Sequence, residues 1–176
     1  MRESCWTVTA KEWERARARV ARLAVEEHRR IFGALLDHMQ AGWEIVRALQ
    51  VEAEHVRRSQ RHPPQTAQDV ASFLACEPVD DFRYVVELSA AMIPGGSRDW
   101  IDALGRDMEG EAYEIVRDLH LLYLAAAQPD FPPLLGAMLQ DAYPRMAEWL
   151  ARLPELERPI LRLAQREERG QPVPVL

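Results

Sequence analysis

Apolar residues recur at steps of three and four along nearly the whole chain, the spacing of one face of an α-helix. The first stretch is the longest: Val20, Leu23, Ala24, Ile31, Leu35, Met39, Val46 and Leu49 form its stripe, with no proline between Thr9 and about Arg61. Thr9-Ala-Lys-Glu12 opens it as a capping box, and His62-Pro63-Pro64 closes it because proline disfavours helical geometry in the residue before it. Gly33 and Gly42 each cost about 1 kcal/mol inside a helix, which makes a turn near Gln40-Ala41-Gly42 the alternative to one unbroken element. Unbroken, its roughly 50 residues span about 75 Å, longer than a compact domain of this size. Either the chain bends there or the helix projects and pairs with something.

Shorter elements follow. Thr66-Ala-Gln-Asp69 predicts a short second helix through Leu74, and Pro78-Val-Asp-Asp81 caps a third from about Phe82 to Ile93. Pro94-Gly95-Gly96 marks a turn, after which Ser97 offers an N-cap to a fourth helix from about Arg98 to Ala127. Prolines 129, 132 and 133 separate that helix from its successor, in which Pro144 predicts a kink or a division. Pro154 and Pro159 flank a last short helix to about Glu168. No strand-like alternation is present. The expectation is an all-α bundle of about five to seven helices with one long N-terminal helix, a single domain over residues 1–169 and a proline-containing tail over 170–176.

Composition narrows the class. With 176 residues, 48% of them hydrophobic and 28% charged, the chain can bury roughly two-thirds of its unfolded surface without staples. Cys5 and Cys76 lie far apart in sequence, which indicates neither a disulfide scaffold nor a thiolate metal site and fits a cytoplasmic protein. The first residues lack the basic and apolar regions of a secretory signal. The nearly uncharged stretch from Leu119 to Leu139 is broken by His120, Asp130 and prolines, so no membrane span is expected. A net charge of −6, with 21 Arg and the single Lys11 dispersed among 28 acids, is a poor match to nucleic acid.

Candidate chemistry is sparse. The serines have no nucleophile-elbow context, and Gly95-Gly96 lacks the Walker lysine. Trp13, Trp43, Trp100 and Trp149 fall on or beside helical stripes and read as core. Glu52-Ala-Glu-His55 places a carboxylate and an imidazole on one helix face, the spacing by which bundles hold metals. Glu27, Glu87, Glu111 and Glu114 extend it to other positions along the chain, and the set resembles the ferritin-like di-iron pattern of Glu, Glu-x-x-His, Glu, Glu-x-x-His. The second Glu-x-x-His is absent, since Arg117 stands three residues before His120. Glu27 and His28 also interrupt the first stripe, and a buried charge there needs a partner; His38 reads as a core histidine.

Two functions remain in view. The leading one is a non-enzymatic cytoplasmic interaction or assembly protein, an adaptor or chaperone-like subunit, that engages a protein partner or itself through the long first helix and needs no cofactor. The alternative is a ferritin-like bundle holding iron or manganese on Glu27, Glu52, His55, Glu87, Glu111 and Glu114. A pocket between helices for a small ligand is a third use of such a fold.

Overall fold

A computed structural model describes residues 9–59, 65–94 and 108–170. Five helices occupy them: α1 (Ala10–Ala21), α2 (Glu26–Ser59), α3 (Gln65–Ala91), α4 (Met108–Ala125) and α5 (Pro133–Glu168). Helix α2 packs on α3 and α5, α3 on α4, and α4 on α5, closing a four-helix ring, while α1 lies along α2. One core takes side chains from all five, including Trp13, Leu35, Met39, Phe82, Ile115, Leu139 and Trp149. The all-α bundle expected from the periodicity is therefore present. The start of the fourth helix, its Ser97 cap, the Gly95-Gly96 turn, Trp100, Cys5, the His62-Pro63-Pro64 stop and the tail from Gln171 onward lie outside the described residues.

The Thr9 capping box forms as read: Thr9 Oγ1 accepts from the Glu12 amide at 3.3 Å, and Thr9 N–H donates to the Glu12 carboxylate at 2.6 Å. The first stretch does break, but not at Gly42. Residues 22–25 are non-helical, and Arg29 reaches back to the linker carbonyls of Leu23 (2.5 Å) and Ala24 (3.3 Å). Glu26 and Glu27 then fall in the first turn of α2, where the positive end of the helix favours them. Glu27 is exposed and raises no burial cost, whereas His28 is buried with its ring edge-on to Phe32.

Helix α2 runs straight past Gly42, which is buried beneath Trp149 and Phe82. Its buried apolar positions, from Ile31 to Ala53, belong to the common core, while Val51 is exposed. The long helix is thus the central stave of this bundle, packed against α1, α3 and α5.

Proline divides fewer helices than its local chemistry predicts. Pro78 lies inside α3, so the expected second and third helices are one, and Pro144, Pro154 and Pro159 lie inside α5, which does not split into two. An internal proline costs about 3 kcal/mol. Full burial of a large apolar side chain contributes about 1.5–3 kcal/mol, and α5 buries Leu135, Leu139, Met146, Trp149, Leu153, Ile160 and Leu163. Tertiary packing outweighs the local penalty.

Candidate functional site

Helix α4 is the element whose surface the bundle does not explain. At about 100° per residue, Met108, Ala112, Ile115, Leu119 and Leu122 point to one side, and all are buried. The opposite side carries Tyr113, Arg117, Leu121 and Leu124, whose positions fall within about 80° of one another. Tyr113 is 57% exposed, Leu121 52% and Leu124 54%. A helix apolar on both sides is normally buried on both. The stripe from Tyr113 to Leu124 runs about 16 Å along the axis. Leu134, at the start of α5, is exposed as well.

The two edges of this stripe differ in chemistry. Toward α3 lie Glu114, Asp118 and Glu111 in turn, opposite Asp81 and Glu77 of that helix. Asp118 is buried, and Arg117 donates to its Oδ1 at 3.0 Å from Nη2 while pairing with Glu114 through Nη1. Burial pushes the Asp81 carboxyl up to about 6, assisted by the negative charges of Asp118, Glu111, Glu77 and Glu114. Toward α5 lies an aromatic group: the His120 ring is 4.9 Å from that of Tyr143 and 6.3 Å from that of Tyr123, with Tyr123 and Tyr143 5.0 Å apart. His120 Nδ1 is buried there without a hydrogen-bond partner.

The six residues considered as metal ligands do not come together. Glu27 and His55 are exposed at opposite ends of α2, and half-buried Glu52 sits one turn before His55. Glu87 is exposed on α3 and pairs with Arg83 at 3.1 Å. Glu111 and Glu114 neighbour each other on the acidic edge of α4 as Glu52 and His55 do on α2, but the two pairs lie on different helices, and Glu114 is engaged by Arg117. Among the described residues, no three His, Cys, Asp or Glu side chains are grouped so as to hold a metal ion. An inter-helix groove of about 300 Å³ between α2 and α5 is lined by Ile45, Ala48, Leu49, Met138 and Ala142, with the Asp141–Arg145 ion pair beside them.

Asp81, Asp118 and the outward leucines of α4 were not singled out by periodicity. The signal of the leucines is present in Leu119-His-Leu-Leu-Tyr-Leu-Ala-Ala-Ala127, a segment apolar at every helical angle and not on one face alone. Among the described residues, no helix is long and apolar enough to cross a membrane. Comparison of the chain with protein-family models, with curated proteins and with solved structures yields no match.

Proposed function

We propose that the protein is a non-enzymatic interaction or assembly subunit that receives a partner on the outward face of α4. The observation that carries this reading is the stripe of Tyr113, Leu121 and Leu124 on the side of the helix away from the core. Exposed leucines scattered singly need no explanation, but three large apolar side chains aligned on one face support this reading. The docking element is α4 rather than the long helix, whose stripe is internally filled. A cytoplasmic setting belongs to the same proposal, in keeping with two cysteines placed far apart in the sequence.

The test is selection of binders from a displayed library of helical peptides on the purified protein, followed by a Leu121→Ser/Leu124→Ser variant. Both leucines are exposed, so the variant keeps its fold, which circular dichroism verifies. The reading predicts enriched peptides that lose binding to the variant. Enriched peptides that bind the variant equally well would sink it.

A further inference from the structure

The two edges of the α4 stripe say what its occupant carries. Resting on the reading of α4 as the docking face, we propose that the occupant is an amphipathic helix of another protein whose apolar side covers Tyr113, Leu121 and Leu124 and whose flank toward α3 bears arginine or lysine. A helix lying along α4 with its apolar side on the stripe sets one of its polar flanks beside Glu114 and Glu111, and beyond them Asp81 and Glu77 of α3. Arg117 already shows what this edge accepts. It lies on the stripe and folds its guanidinium toward Glu114 and Asp118, pairing with both. Burial raises the proton affinity of Asp81, and Asp118, Glu111, Glu77 and Glu114 all add to it, so this edge gathers five carboxylates around one guanidinium. A partner's cation relieves that repulsion, and a partner's carboxylate adds to it.

The same charges argue against the other occupants. A second copy of α4 brings its own Glu114 and Glu111 to the interface, where like charges oppose association. An anionic lipid surface is repelled in the same way. Aromatic side chains on the far edge, Tyr123 and Tyr143 around His120, offer the occupant's second flank a ring surface rather than a charge.

The experiment uses three synthetic helices sharing one leucine stripe and differing only in the flank, which is Arg, Gln or Glu. Each is titrated against the full chain at low and high salt. Two or three ion pairs of ordinary surface strength give the Arg helix about tenfold tighter binding than the Gln helix, and the Glu helix binds weakest. High salt and a Glu111→Gln/Glu114→Gln variant both close that gap, while Leu121→Ser/Leu124→Ser loses all three helices. Equal binding of the Arg and Gln helices would overturn the basic flank and leave the docking face standing. If no helix binds, or binding survives Leu121→Ser/Leu124→Ser, the docking face itself fails. Light scattering that shows a dimer abolished by Leu121→Ser/Leu124→Ser, or sedimentation with phosphatidylserine vesicles, would overturn the proposal in favour of a second copy or a membrane.

Discussion

His38 and Trp149 each donate a ring N–H to the other's main-chain carbonyl. His38 Nε2 lies 2.8 Å from the Trp149 oxygen and Trp149 Nε1 lies 2.9 Å from the His38 oxygen, with the two rings stacked 5.3 Å apart and within 9° of parallel. A carbonyl only accepts, so the His38 proton sits on Nε2. The pair clasps the middle of α2 to the middle of α5, and a part-buried carbonyl on each helix gains a side-chain donor.

Stability should fall in acid through His38. Burial holds its proton affinity below the usual imidazole range, with the Trp149 carbonyl opposing in part and Arg152 assisting. The unfolded chain therefore takes up this proton near pH 6.5 and the folded one only below it. The contribution is complete above 6.5 and is lost as the pH falls through that value toward the folded pKa. Urea midpoints at pH 8, 6.5 and 5 check this: the parent should lose more stability between 6.5 and 5 than His38→Gln does. Equal losses would contradict the assignment.

Gly42 makes the clasp possible. A Cβ there would stand 2.6 Å from Trp149 Nε1, 2.7 Å from its Cε2 and 3.1 Å from Phe82 Cζ, so the stacked tryptophan must move. Gly42→Ala should destabilise by about 1–3 kcal/mol, although alanine is the better helix former. Gly33 has nothing within 4 Å of such a Cβ, and Gly33→Ala should stabilise by about 0.5–1 kcal/mol. Chemical denaturation of the two variants should give opposite signs.

Much of this architecture can be read from residue spacing, because each buried stripe repeats at the helical period and Thr9-Glu12 caps α1 as its residue types dictate. Boundaries are less legible where packing competes with local chemistry. Pro78 and Pro144 read as dividers because proline lacks an amide, yet the bundle carries α3 and α5 through them. The break at residues 22–25 has a signal in the acidic pair Glu26-Glu27, a first-turn signature hidden inside a continuous apolar stripe. The face of α4 was hidden in another way: the core stripe through Leu119 and Leu122 accounts for its periodicity and masks the second stripe, Leu121 and Leu124, beside it.

Asp81 should act on stability in the opposite sense to His38. Raised to about 6 from 3.8, its carboxyl holds a proton in the folded chain that the unfolded chain has already lost. The contribution is present below about 3.8 and lost as the pH rises through about 6. Asp81→Asn should therefore be more stable than the parent at pH 8, by up to about 1 kcal/mol given the screening at this half-buried position, and no more stable at pH 4. Thermal melts across that range decide it.

Removing Arg117 leaves Asp118 buried beside a second acid. Arg117→Ala should lower the urea midpoint at pH 8, because the buried Asp118 carboxylate then lacks its cation. Adding Asp118→Asn should recover part of the loss at pH 8. No recovery in the double variant would point to lost packing alone.

The prolines inside α5 carry a consequence for how the molecule comes to be. Each strips the amide that would have served the carbonyl four residues back, at Gln140, Leu150 and Glu155, so the segment is a poor helix on its own. A synthetic peptide of residues 133–168 should accordingly be largely unordered by circular dichroism. Its helicity is conferred by packing on the earlier-synthesised helices, above all on α2, where Trp149 is seated against His38 and Gly42. The last helix of the chain is cast on a mould laid down by the second.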